Sequence, residues 1–335
     1  MVAAPKLLGH QEQWQSFVQA VRLGRPHHAW LLHGPKGVGK ATFARQATAC
    51  LMAGALTGSD ADPGAAFETP QGRLVLQNAH PDVTWLSTPP AKTKRAQEQL
   101  PVADVRSGTA KVYSTASYGG WRVLAIDSLD AVRSEGANAL LKTLEEPPAR
   151  TLIFLIAHRL GAVLPTLRSR CRLLPFSPLD DDTMQRFAQS QDTIQLPEHA
   201  AALRIARGLP GSYLSLIENP DILEAIEQFN VLAGQPDRHV ERLDFAARVD
   251  ALSAAEAALF RLALDAWFAD QIAARSAQGD NGQRARHALA QAWQSFSQAS
   301  NLRTSINLDL QEQFMGLFGR LDSAAQPNEA MVSHL

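Results

Sequence analysis

Gly34-Pro35-Lys36-Gly37-Val38-Gly39-Lys40 is the stretch that decides how this chain reads. A short apolar run, His28-Ala29-Trp30-Leu31-Leu32-His33, precedes it, and Lys40 to Met52 then carries Phe43, Ala47 and Leu51 at helical spacing. Strand, glycine-rich turn and helix therefore follow one another. In that context G-x-x-x-x-G-K binds phosphate: the glycines let backbone N–H groups close round the oxygens, the helix N-terminus adds its dipole, and the lysine supplies a point charge. Gly34, Gly37, Val38, Gly39, Lys40, Ala41 and Thr42 are the residues expected at such a site. One letter departs from a hydrolysing loop, which places a Ser or Thr hydroxyl directly after the lysine to hold Mg²⁺. That position is Ala41, and Thr42 stands one residue late, about 100° further round the helix. The plainer alternative is a glycine turn that only closes a strand onto a helix.

A chain of 335 residues exceeds one ordinary core, so two or three domains are expected. The formal net charge of −1 gives no global field to attract nucleic acid, which leaves DNA contact to a local patch or to partners. Met1 to Trp14 has no apolar core of signal-peptide length, and no run approaches the roughly 20 residues of a membrane span. A cytoplasmic protein without membrane partners is expected. Only Cys50 and Cys171 are present, far apart and without a C-x-x-C pair, which excludes a disulfide framework and a zinc site built mainly of cysteine. His80 and His158 are the histidines that could join them as ligands; the plainer reading is buried thiols and surface imidazoles, so zinc is not expected.

Residues 7–23 fit an amphipathic helix ending at Gly24-Arg25-Pro26. Gly54 to Gly72, rich in Gly, Ala, Asp and Pro, has no period and reads as a mobile surface loop. A strand follows at Val83–Leu86. Lys92, Lys94 and Arg95 lie in a loop over 89–101 that either touches a DNA backbone or is simply solvated. Val102 to Ala116 is helical by period.

The second informative unit is Trp121-Arg122-Val123-Leu124-Ala125-Ile126-Asp127, an apolar strand ending in an acid, as a Walker B strand does. Asp127 is placed for the metal side of a nucleotide. Hydrolysing proteins of this architecture follow it at once with Glu; here Ser128 stands there, and Asp130 is expected in the next turn, pointing elsewhere. Gly136 to Pro148 reads as a helix stopped by its double proline, and Thr151 to Ala157 as a buried strand.

Leu140-Leu141-Lys142-Thr143-Leu144-Glu145-Glu146-Pro147-Pro148 together with Leu167-Arg168-Ser169-Arg170-Cys171 resembles the bacterial clamp-loader subunits of DNA polymerase III, members of the AAA+ ATPases. The resemblance covers roughly residues 10–180. It implies a RecA-like α/β P-loop domain with a parallel sheet over 1–176, a small helical lid over 177–218 and an all-α collar over 219–335. It also implies that Arg170 acts as an arginine finger in the ATP site of the adjacent subunit; the plainer reading is a surface arginine paired with a carboxylate. Motor subunits of the family carry a complete Walker A, an Asp-Glu Walker B, a nucleotide-sensing lid arginine in the stretch corresponding to Gly208–Leu214, and four zinc-binding cysteines inserted after the P-loop helix. This chain has Ala41, Ser128, no arginine in Gly208–Leu214 and, at a ligand position, only Cys50.

That pattern resembles the delta prime branch of the family. It implies a stator that joins motor (gamma/tau) and delta subunits in a hetero-pentamer and meets the sliding clamp and primer-template DNA through the complex. The assembly belongs to a DNA-directed DNA polymerase, a nucleotidyltransferase. The loop would hold ATP or ADP without requiring either, and with little turnover. The competing readings are a motor ATPase in which Thr42 or Asp130 supplies the missing group, a P-loop nucleotide kinase, and a scaffold with no catalytic share. The remaining chain reads as helices, with a turn at Gly279–Gly282, a disordered tail after Asp322, and Phe229, Phe245, Phe260, Trp267, Trp293, Phe296, Phe314 and Phe318 as core and subunit contacts.

Overall fold

The structure is a computed structural model that describes residues 7–24, 26–56, 63–88, 99–118, 120–191, 198–275, 279–302 and 310–325. The basic loop residues Lys92, Lys94 and Arg95 and the end of the tail lie outside the described residues. The chain divides into two compact units, one holding Ala96–Ser190 and Gly208–Gly211 with the chain up to Lys92, the other Gln191–Arg207 and Ser212 onward.

The first unit is built on five strands: β1 (Ala29–His33), β2 (Val83–Ser87), β3 (Arg122–Asp127), β4 (Thr151–Ala157) and β5 (Arg172–Pro175). They pair in parallel in the order β2-β3-β4-β1-β5. Strands buried on both faces read as continuous apolar runs, and here successive side chains alternate between two cores. Trp30, Leu32, Val123, Ala125, Phe154 and Ile156 face one cluster; Leu31, Leu124, Ile126, Ile153 and Leu155 face the other.

Helices α1 (Gln11–Arg22) and α2 (Lys40–Met52) cover the first face through Phe17, Phe43 and Ala47. The short helices α3 (Pro63–Glu68) and α4 (Pro70–Leu76) pack there too, through Ala66, Phe67 and Val75. This corrects the reading of Gly54–Gly72 as loop from Pro63 onward, while 57–62 lie outside the described residues. Six- and seven-residue helices are too short to show a period, but their ends are well specified. Thr69 accepts a cap hydrogen bond from the Gly72 amide at 3.0 Å, and Pro70 opens the next helix. A Cβ on Gly72 would lie 1.9 Å from the Ala66 carbonyl oxygen, so only glycine fits this corner.

On the other face lie α5 (Val102–Lys111) and α6 (Ser134–Glu145), with a one-turn helix α7 (Pro165–Arg168) before β5. Helix α8 (Asp181–Gln189) follows, its N-terminus capped by the Asp180 carboxylate on the Thr183 amide at 2.7 Å.

The second unit comprises α9 (Glu198–Ala206), most of α10 (Pro210–Glu218), α11 (Pro220–Ala233), α12 (His239–Ala251), α13 (Ala254–Ala274), α14 (Gly279–Leu302) and α15 (Leu310–Ala325). Gly279–Gly282 is the first turn of α14 and not the expected turn, a second correction: glycine at a helix start is a tolerated neighbour of the cap, and the apolar face behind it carries the helix. Phe229 packs against Phe245, Trp267 and Phe318, and Phe314 against Phe245, Phe260 and Phe296, so these aromatics are core. Among them sits Arg242, 1% exposed, which donates to both carboxylate oxygens of Asp322 at 2.7 and 2.8 Å and to the Leu232 carbonyl. Its guanidinium also lies 4.6 Å from the Phe318 ring centroid. No helix among the described residues is long and apolar enough to cross a membrane.

Candidate functional site

Strand order sets where a ligand can bind. The chain leaves β1 and returns at β2, on the far edge beyond β3 and β4, so a crevice opens at the carboxyl ends of β1 and its neighbours. Three sequence features meet there: the loop after β1, Asp127 at the end of β3, and His158 after β4, since His33 is in register with Ala157, and Asp127 with Ile156.

The loop from Gly34 to Gly39 uses left-handed backbone at Gly34, Gly37 and Gly39, with φ of 147°, 83° and 111°. At Gly34 there is a second requirement, because a Cβ would stand 2.1 Å from the Phe176 carbonyl oxygen. Gly39 caps α2, so the first amides of a 13-residue helix open onto the loop. Lys40, 3% exposed, turns its ammonium onto the carbonyls of Gly34 and Pro35, both at 2.6 Å. Burial lowers its pKa to about 8, against the opposing pull of Asp127 and Asp130.

Two contacts hold the loop from outside. His10 bonds through Nε2 to the Val38 carbonyl at 2.9 Å and packs edge-on against Phe176. Gly211, in the first turn of α10, donates its amide to the Gly37 carbonyl at 2.8 Å. The backbone of that helix start thus meets the loop directly.

The groups that would assist hydrolysis are differently placed. Ala41 packs its methyl against the first core cluster, and Thr42 is half-buried on the next step of α2. Burial raises the Asp127 pKa, opposed by Lys40, Arg45 and Lys36. Asp130 sits in a 3-10 turn over Leu129–Ala131 but does not point elsewhere: it acts on the charges of Lys40, Asp127 and His158, and its two oxygens accept the amides of His158 and Arg159 at 2.6 and 3.1 Å. It is thereby committed to the end of β4. His158, read from sequence only as a doubtful metal ligand, stands beside this site. Its pKa falls to about 4, from burial first and the Lys40 charge second, and among the described residues nothing pairs with its buried Nδ1. Its position directly after an apolar strand was the available signal; His10 had none.

The residues present fit a phosphate: glycines, helix-start amides and a buried ammonium converge on one crevice. Ala41 offers no hydroxyl and Ser128 no carboxylate where a hydrolysing loop and strand place them, and both Asp130 oxygens accept backbone amides. Cys50 is buried in the first core, and burial pushes the Cys171 thiol up to about 12.

Arg170 lies elsewhere. Trp30 pairs with Arg172, so the turn carrying Arg170 precedes β5 at the amino edge of the sheet, opposite the loop after β1. Four strand steps of about 3.3 Å separate those edges along β1, roughly 13 Å. Cys171 packs toward the second core and Arg170 points out, with its guanidinium on the Glu145 carboxylate at 2.7 Å and on the Thr166 carbonyl at 2.9 Å. The surface ion pair named as the plainer reading is therefore present.

Residues 9–180, just over half of the chain, match the family described as DNA polymerase III, delta subunit. DNA polymerase III subunit delta' of Pseudomonas aeruginosa is 32% identical over 233 residues, covering 69% of this chain and 60% of that relative. The subunit of that name in Escherichia coli is 31% identical, covering 61% and 59%. DNA polymerase III subunit gamma/tau of Mycobacterium tuberculosis is 27% identical, covering 80% of this chain and 43% of that protein. The matched stretch thus spans about 60% of the length of the delta' relatives. The family match over residues 9–180, with delta' relatives at 31–38% identity, establishes that the chain belongs to the DNA polymerase III delta-subunit family, in its delta prime branch.

Proposed function

We propose that the chain serves as the delta prime subunit of the DNA polymerase III clamp loader. It assembles with motor (gamma/tau) and delta subunits in a hetero-pentamer that uses ATP to place the sliding clamp on primer-template DNA, and it lends Arg170 to the ATP of a neighbour. The observation that carries this reading is the separation of Arg170 from the chain's own phosphate loop. The two lie at opposite ends of the parallel strands, which suits the guanidinium to a phosphate on another subunit rather than to its own loop. A planar guanidinium pairs with two phosphate oxygens at once and is suited to the charge of a phosphoryl-transfer transition state.

The chain's own loop holds a nucleotide, ATP or ADP, through Lys40 and the amides of Gly37 and Gly39, without turning it over. Asp130 engaged on two amides weighs against the form of the motor reading in which it supplies the missing group. The test is reconstitution with gamma/tau and delta subunits. Arg170→Ala should lower clamp-dependent ATPase and loading at least about tenfold; unchanged rates would leave only a scaffold role. Lysine-dependent ATP turnover by the isolated chain, lost in Lys40→Ala, would favour the motor.

A further inference from the structure

Glu145 is an odd residue for its place. It ends α6, where a carboxylate works against the negative end of the helix dipole and a basic residue is the favoured occupant. It is also half exposed, and among the described residues its ion-pair partner is the Arg170 guanidinium. A lone surface ion pair between two long side chains is held loosely, because ordering both costs rotamer entropy.

This pair is anchored differently. Leu144, directly before Glu145, and Leu167, three residues before Arg170, are both 1% exposed in the same core cluster, so the two backbones are fixed relative to each other. On the arginine side the turn is closed by the Ser169, Arg170 and Cys171 amides, bonded to Pro165, Leu167 and Arg168, and Cys171 is tucked toward that core. The guanidinium is then gripped at two nitrogens: Nη2 by Glu145 Oε1 at 2.7 Å, and Nη1 by the Thr166 carbonyl at 2.9 Å with Ser169 Oγ at 3.4 Å. Two grips on a planar group set its plane as well as its position.

We propose that Glu145 is the positioning residue for Arg170: its carboxylate holds the guanidinium extended and correctly oriented before the neighbouring subunit docks. The inference rests on the trans role of Arg170 given above. Catalytic arginines gain from such orientation because misplacement by a fraction of a hydrogen-bond length is felt in the rate. Glu145 touches no substrate, so its effect passes wholly through Arg170.

The full complex with gamma/tau and delta subunits is assayed for ATP turnover with Glu145→Ala, Glu145→Gln, Arg170→Ala and the double variant, alongside thermal unfolding of each chain. Glu145→Ala should lower kcat about five- to tenfold with KM for ATP little changed. Glu145→Gln, which keeps an oxygen acceptor at the same reach, should recover most of the loss. The double variant should be no slower than Arg170→Ala. A normal rate in Glu145→Ala, or a further loss when it is added to Arg170→Ala, overturns the proposal, the second because a structural defect would add. If Arg170→Ala is itself without effect, the trans role fails first, and that outcome is distinguishable from the failure of Glu145 alone.

Discussion

The amide of Gly211 donates to the carbonyl of Gly37 at 2.8 Å, so the start of α10 is bonded directly to the phosphate loop by backbone alone. A Cβ built on Gly211 would fall 2.9 Å from the Gly37 Cα and 3.1 Å from its carbonyl oxygen. Glycine at 211 lets the two main chains come this close. Gly211→Ala therefore sets two effects against each other. Glycine to alanine in a helix gains about 0.5–1 kcal/mol, whereas the clash with fixed backbone costs about 1–3 kcal/mol. The clash should win, giving a net loss of about 1 kcal/mol in urea unfolding; a stabilised variant would mean the contact yields freely.

Arg242 and Asp322 form the buried ionic contact of the helical unit. Asp322→Ala leaves a guanidinium that is 1% exposed without its carboxylate and should cost about 3–5 kcal/mol. Replacing the pair together, Arg242→Met with Asp322→Leu, should cost less than Asp322→Ala alone, since no charge is then stranded. Chemical denaturation of the three chains checks both statements.

The Lys40 pKa of about 8 gives phosphate binding a pH dependence. Phosphate requires the charged ammonium, and in the free chain that form is lost as pH rises through 8. ADP affinity measured by calorimetry should therefore weaken up to about tenfold between pH 7 and pH 9. The same shift acts oppositely on folding. Between pH 8 and the unfolded value of 10.5 the unfolded chain binds more protons at this residue, so its contribution to stability rises with pH there. Absence of ADP binding at either pH would return the loop to a simple glycine turn.

His158 works in the acid range. Its folded pKa of about 4 lies below the ordinary 6.5, so the unfolded chain binds more protons between those values, and stability falls as pH drops through that window. His10, His28, His33 and His80 are lowered as well and share in the effect. His158→Gln should flatten part of the decline in melting temperature between pH 6.5 and pH 4. An unchanged slope would show that the ring is solvated.

Arg170→Lys tests the fork geometry. A lysine keeps the charge but not the planar pair of donors, so ATP turnover of the reconstituted complex should stay nearer to Arg170→Ala than to wild type. Recovery to wild-type rate would reduce the role of Arg170 to charge alone.

Much of the sheet unit was legible because strands buried on both faces write themselves as unbroken apolar runs: Thr151–Ala157 was readable end to end. The phosphate loop was legible because its chemistry needs particular residues at fixed spacing. The helices at Pro63–Glu68 and Pro70–Leu76 were not, being shorter than two periods, and their identity rests on Phe67 and Val75 finding the core beside α2. Gly279–Gly282 misled because four turn-forming residues look alike whether they end a helix or begin one.

By itself the sequence determined which residue stands at each motif position: Ala41 after Lys40, Ser128 after Asp127, and no arginine within Gly208–Leu214. Only the tertiary structure decided what the remaining groups face. Parallel strands put the loop after β1 and the turn before β5 at opposite edges, about one strand length apart. Neighbours distant in the chain then took up the rest: Asp130 was claimed by the end of β4, Lys40 was buried, and Arg170 met Glu145. Side-chain roles depend on distance and solvent, and those are properties of packing between segments that the linear order does not bring together.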